Sequence, residues 1–136
     1  MGQLEETNVL QLDFTKLAKV AAACPDVIPV AVQNADTKEV ILLAYVNRAA
    51  LDKAIEIRTA VFWSTSRNEL WIKGATSGET FELLSVRVNC EQNSLLYIVR
   101  PRRGGICHTK NASGAPRDCF YRELDFATGE LVNLDP

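Results

Sequence analysis

Cys90, Cys107, His108 and Cys119 are the residues whose types could do chemistry together. Thiolates are soft donors that suit zinc, and three protein ligands with one open position is the pattern of a catalytic zinc site. A metal so held lowers the pKa of its bound water toward about 7. Cys107 and His108 lie in Gly104-Gly105-Ile106-Cys107-His108-Thr109, where paired glycines permit the tight backbone path of a loop folded around an ion. The spacings are not the C-x-x-C of a zinc finger. By spacing alone, a metal site and buried thiols acting as small hydrophobes fit equally. Cys24, in Ala22-Ala23-Cys24-Pro25, closes an apolar segment and is read as such a buried thiol, outside the site. His108, the sole histidine, suits either a fourth ligand or a general base; the base is preferred, because a fourth ligand would close the site.

Bulk properties limit what can surround this group. A chain of 136 residues builds one domain, residues 1–136, with a real core. The 47% hydrophobic and 24% charged content is globular rather than disordered. A net charge of -2 argues against a nucleic-acid partner, whereas a small anionic substrate needs only a few placed cations. The opening residues carry Glu5 and Glu6 without an apolar run, and no stretch approaches a membrane span of about 20 residues. The expected location is cytoplasmic, with no membrane partner. In that reducing compartment, clustered cysteines point to metal or catalysis before disulfides.

The elements that must position the site follow from hydrophobic periodicity. A helix is expected over 12–23, with Leu12, Leu17, Val20 and Ala21 on one face, Asp13 or Thr15 as cap, and Pro25 as stop. Strands are expected over 27–32 and 40–46, joined as a hairpin by Asp36-Thr37-Lys38. Asn47 caps a second helix running to Ile57. Further strands are expected over 60–64, 70–73, 81–89, 95–100 and 120–124, with a loop over 103–117 and a tail at the end. In 81–89, the set Glu82, Leu84, Val86, Val88 is the more apolar after its first member. The class is α+β, mostly antiparallel sheet with two short helices.

Several motifs occur in order: Leu42-Leu43-Ala44-Tyr45-Val46-Asn47 with Ala50-Leu51, then Phe62-Trp63-Ser64-Thr65-Ser66-Arg67. Leu70-Trp71-Ile72-Lys73-Gly74 with Thr76-Ser77-Gly78 comes next, then Cys107-His108-Thr109 and Cys119-Phe120-Tyr121. From about Val40 to Tyr121 the chain resembles the phosphoribosyl-AMP cyclohydrolase family of histidine biosynthesis. That resemblance implies hydrolysis of the N1–C6 bond of the adenine ring in N1-(5-phosphoribosyl)-AMP. It also implies an intertwined homodimer in which Cys90 of one subunit joins Cys107 and Cys119 of the other around zinc. Ser64, Ser66, Arg67, Trp71, Lys73, Thr76 and Ser77 then form the expected substrate-binding set, with hydroxyls and cations suited to phosphate. Taken alone, Ser64-Thr65-Ser66 reads as a polar turn, Trp63 and Trp71 as core, and Arg100, Arg102 and Arg103 as a solvated cluster.

Two departures from the family pattern stand out. Asn89-Cys90-Glu91-Gln92-Asn93 replaces D-C-D-x-D, whose aspartates hold magnesium. Asn89, Glu91 and Asn93 offer one carboxylate, a poor set for a cation that prefers anionic oxygens in octahedral geometry. Magnesium is expected to bind weakly or not at all. The residues 108–118 between the last two cysteines also form a longer loop than the family's six, with Lys110 where the family has glycine. Such insertions cost little closure entropy. The alternatives are therefore a divergent paralogue acting on another purine-like nucleotide, or a non-enzymatic zinc-stabilised dimer that binds a partner. Retention of His108 and of the 64–73 segment speaks against the latter.

Overall fold

Alternating apolar residues place one face of a central sheet under cover. In the computed structural model, which describes residues 3–102 and 109–136, this sheet has the strand order β2-β1-β6-β5. Its strands are β1 (Ile28–Asn34), β2 (Val40–Val46), β5 (Phe81–Val88) and β6 (Leu95–Pro101). Strands β1 and β2 form the expected hairpin, β5 and β6 pair antiparallel as a second one, and β1 and β6 run parallel. Val30 and Val32, two apart on β1, are fully buried with Tyr97 and Val99 of β6. Helix α3 (Arg48–Ile57) covers this face through Ala50 and Ala54. Asn47 caps it as expected, its side chain accepting from the Ala50 N–H at 3.0 Å.

A second, two-stranded unit pairs β3 (Phe62–Ser64) with β4 (Glu69–Trp71). Phe62 anchors it in the core, its ring 5.7 Å from that of Tyr97 and 5.5 Å from that of Trp71. The Tyr97 hydroxyl donates to the Val61 carbonyl at 3.1 Å. A third pair joins β7 (Arg122–Leu124) to β8 (Leu131–Asn133). The class is α+β with mostly antiparallel pairing, as expected.

Three local expectations change. Helix α2 begins only at Lys16 and runs to Ala23, because Asp13 Oδ1 accepts from both the N–H and the hydroxyl of Thr15 and holds 12–15 in a turn. Leu12 and Leu17 are exposed, and Val20 is the helix's buried residue. In β5 a register shift between Leu83 and Ser85 reverses the facing: Phe81 and Leu83 are buried before it, and Val86 packs on the core after it. Residues 131–133, expected as tail, form β8. Asp125 Oδ1 accepts from the Ala127 and Thr128 N–H groups and turns the chain back onto β7. A single turn, α1 (Gln3–Glu6), precedes the rest. Among the described residues no helix is long and apolar enough to cross a membrane.

Candidate active site

The β3–β4 hairpin shapes a cavity of about 330 Å³. Ser64, Thr65, Ser66 and Arg67 line it on the hairpin turn, with Trp63 and Trp71 from the strands. The turn is stiffened internally: the Arg67 N–H donates to Ser64 Oγ at 3.3 Å, and the Ser64 and Ser66 hydroxyls lie 3.4 Å apart. Asn68 adopts a left-handed conformation, and its Oδ1 accepts from the Trp63 indole N–H at 2.9 Å. So the polar turn and the two tryptophans are structural and cavity-lining at once. Arg67 meets Glu69 only at 3.7 Å, with both side chains largely exposed, which leaves the guanidinium available. Lys73, Thr76 and Ser77 fall outside this lining; the Lys73 ammonium lies 5.0 Å over the Phe81 ring. Arg100 and Arg102 serve the fold. Arg100 pairs with both carboxylate oxygens of Asp36 at 2.9 Å, holding that carboxyl below its ordinary pKa, and Arg102 donates to Thr59, Thr80 and the Arg58 carbonyl.

Cys90 sits exposed in the β5–β6 turn. Asn89 closes this turn: its Oδ1 accepts the N–H groups of Asn93 and Ser94 at 2.9 and 3.0 Å. Those two donors fix the amide's orientation, so its Nδ2 faces Asn93 Oδ1 and donates to it at 2.7 Å. The side-chain oxygens of Asn89 and Asn93 are thus engaged with N–H groups. With one carboxylate and two engaged amides, Asn89, Glu91 and Asn93 are a poor fit for magnesium.

Cys119 is exposed at the other end of the molecule. Its N–H donates at 2.8 Å to the carbonyl of Ile41, at the register shift of β2. The chain termini brace this segment. The Arg117 side chain, only 4% exposed, donates at 2.7 Å to Glu6 Oε1 and to the Asp135 carbonyl and stacks over the Tyr121 ring. The Tyr121 hydroxyl donates to the Glu5 carbonyl. The longer loop folds on itself around Asn111, whose Oδ1 accepts from the Ser113 and Ala115 N–H groups, and its Nδ2 reaches Asp135 at 2.9 Å. Burial, with Glu39 nearby, raises the carboxyl pKa of Asp118.

Cys107 and His108 lie outside the described residues, as does Arg103. Among the described residues, no three His, Cys, Asp or Glu side chains gather as a metal would need. The register explains why. Val88 pairs with Leu95, Leu95 with Val30, and Val30 with Ala44. Cys90 follows Val88 at one corner of the sheet, and Cys119 adjoins Ile41 at the diagonal corner. Three strand spacings across and about five residues along separate them by roughly 20 Å. Zinc–sulfur bonds are about 2.3 Å, so one ion cannot bind both cysteines of a single chain. The donor types suit zinc. Cys24 is buried, as expected, and its thiol donates toward Asn68 Oδ1 at 3.2 Å and the Thr65 carbonyl at 3.7 Å. Lys16, Tyr45 and Trp63 also line the cavity and were not among the expected substrate contacts. Trp63 and Tyr45 stood inside recognisable motifs, but no local signal marks Lys16.

Comparison with known proteins finds relatives over most of the chain. The phosphoribosyl-AMP cyclohydrolase family model matches residues 42–121. The protein named phosphoribosyl-AMP cyclohydrolase from Hyphomonas neptunium is 46% identical over 121 residues, covering 89% of this chain and 82% of that protein. The same-named protein of Nitrosopumilus maritimus is 45% identical over 97 residues, 71% of this chain and 84% of that protein. The one from Chloroherpeton thalassium is 38% identical over 135 residues, 99% of this chain and 89% of that protein. With the motifs in order and the family model matched over residues 42–121, the chain belongs to the phosphoribosyl-AMP cyclohydrolase family of hydrolytic enzymes.

Proposed function

We propose that this chain catalyses the hydrolytic opening of the adenine ring of N1-(5-phosphoribosyl)-AMP in histidine biosynthesis. Water adds at C6, the N1–C6 bond breaks, and N1 takes up a proton, giving the formimino-carboxamide ribonucleotide. The observation that carries the reading is the cavity of the β3–β4 hairpin within the family-matched segment. It places aromatic walls, Trp63 and Trp71, beside Ser64, Ser66 and Arg67, as a phosphorylated purine needs. Cys90 of one protomer, with Cys107 and Cys119 of the partner subunit, would hold zinc. When bound, zinc supplies Lewis acidity at neutral pH. His108 would act as general base toward the attacking water. Arg67 and the hydroxyls orient the phosphates, and the tryptophans exclude solvent from one face of the purine.

A homodimer follows from the same reading. The diagonal placement of Cys90 and Cys119 supports it, as do the exposed apolar side chains of Leu12, Phe14, Leu17 and Phe120 near one end of the chain and beside Cys119. The amide pair at Asn89 and Asn93 favours one second reading, a paralogue that acts on another purine-like nucleotide without magnesium.

The decisive experiment supplies N1-(5-phosphoribosyl)-AMP to zinc-loaded protein, with and without magnesium, and follows ring opening by absorbance. Turnover without magnesium is expected; no turnover in either condition overturns the assignment. Metal analysis is expected to find about one zinc per chain, lost on Cys107→Ala. His108→Ala is expected to keep the zinc and lose most of the activity; loss of zinc instead would make His108 a ligand.

A further inference from the structure

We infer that Lys16, which lies outside the family-matched segment, is a phosphate-binding residue that determines the affinity of the cavity for its nucleotide. This rests on the cavity being the nucleotide site proposed above. Lys16 opens helix α2 and lines the same cavity as Ser64, Ser66 and Arg67. Two contacts hold α2 there. At its C-terminal end the Cys24 thiol donates to Asn68 Oδ1 and toward the Thr65 carbonyl, both in the hairpin turn. At its start, Lys16 lies over the Tyr45 ring, 5.9 Å from the centroid. The eight residues of α2 span about 10 Å. The helix is therefore pinned to the hairpin turn at one end and delivers an ammonium to the cavity rim at the other.

The charge on Lys16 is uncommitted. The nearby carboxylate, Asp13, is taken by the Thr15 hydroxyl and N–H and by the Lys19 ammonium at 3.0 Å, which together lower its pKa to about 2. Among the described residues Lys16 meets no carboxylate, and the Tyr45 ring face leaves the three ammonium N–H donors free for an anion. Arg67 is the other cation on the lining, and it too is weakly paired. Two cations, the Ser64, Thr65 and Ser66 hydroxyls and aromatic walls match a phosphate monoester joined to a purine nucleoside. A neutral nucleoside would have no use for the second cation.

The test compares wild type with Lys16→Met, Lys16→Arg and Lys53→Met. Lys16 is exposed, so the fold is expected to be unaffected, which circular dichroism checks. For Lys16→Met the KM for N1-(5-phosphoribosyl)-AMP is expected to rise roughly ten- to a hundred-fold with kcat nearly unchanged. Lys16→Arg should recover most of the loss, and Lys53→Met, on α3 and off the cavity lining, should behave as wild type. Binding of AMP and of adenosine, read by tryptophan fluorescence, gives an independent measure. AMP affinity should fall with Lys16→Met while adenosine affinity holds. An unchanged KM and AMP affinity, or an equal loss for AMP and adenosine, overturns the inference. If wild type shows no turnover, the proposed function fails, and the AMP and adenosine titrations still decide the role of Lys16.

Discussion

At the scale of single residues, hydrogen-bond donors decide what a position can hold. The Asn89 Nδ2–H to Asn93 Oδ1 bond occupies the place where two carboxylates would need a cation between them. Wild type is therefore expected to give no saturable magnesium heat in calorimetry at millimolar concentrations. The double variant Asn89→Asp, Asn93→Asp should gain binding, with a Tm lowered in EDTA and restored by magnesium. Tight magnesium binding by wild type would contradict this. Tyr97 shows a second residue-level effect. Its buried hydroxyl meets the Val61 carbonyl, and burial raises its pKa well above the ordinary value. Tyr97→Phe leaves that carbonyl unpaired and is expected to cost about 1 kcal/mol at pH 7. With its folded pKa raised, Tyr97 stabilises fully below about pH 10 and loses that contribution as pH climbs above it. The gap between wild type and Tyr97→Phe in urea unfolding should therefore narrow from pH 8 to pH 11.

At the scale of elements, short pieces of chain position the site by packing against one another. The β3–β4 hairpin is small, yet Phe62 roots it in the core, and Asn68 ties its turn to Trp63 and to α2. The turn that follows β4 depends on Gly74, at φ +75°, where an added Cβ would lie 2.3 Å from the Glu79 backbone. Gly74→Ala is expected to cost at least about 1 kcal/mol in urea unfolding, because backbone rather than a side chain must yield. A neutral effect would show that the 73–80 turn is looser than this. Much of this level was legible beforehand. The β2 strand, the Asn47 cap and the α3 end at Ile57 follow from local periodicity and capping. The start of α2 and the facing of β5 did not, because an Asp13–Thr15 turn and a register shift overrode the apolar pattern.

At the scale of the whole molecule, the sheet sets Cys90 and Cys119 at diagonal corners, so the proposed zinc site needs two chains. Cys90→Ala and Cys119→Ala are each expected to be inactive alone. Co-expressed, they should form heterodimers in which one site regains all its ligands, giving roughly a quarter of wild-type activity for random pairing. Absence of recovery in heterodimers that demonstrably form would overturn the shared zinc site. The terminal segments also act at this scale, since Arg117, Glu6, Tyr121 and Asp135 join both ends of the chain to the segment that carries Cys119.

By itself the sequence determined which side chains are on offer, because thiols, hydroxyls, cations and the amide-for-carboxylate replacement are properties of residues and their order. It also determined most element boundaries, since periodicity and caps act within a few residues. Only the tertiary structure decided which of those residues meet. Ser64, Ser66, Arg67 and Trp71 converge on one cavity, while Lys73, Thr76 and Ser77 lie off its lining. Lys16 joins the first group because Cys24 docks a helix onto a turn more than forty residues away. Cys90 and Cys119, expected around one metal, are held apart within the chain by strand order and register, which depend on long-range pairing that residue spacing does not encode.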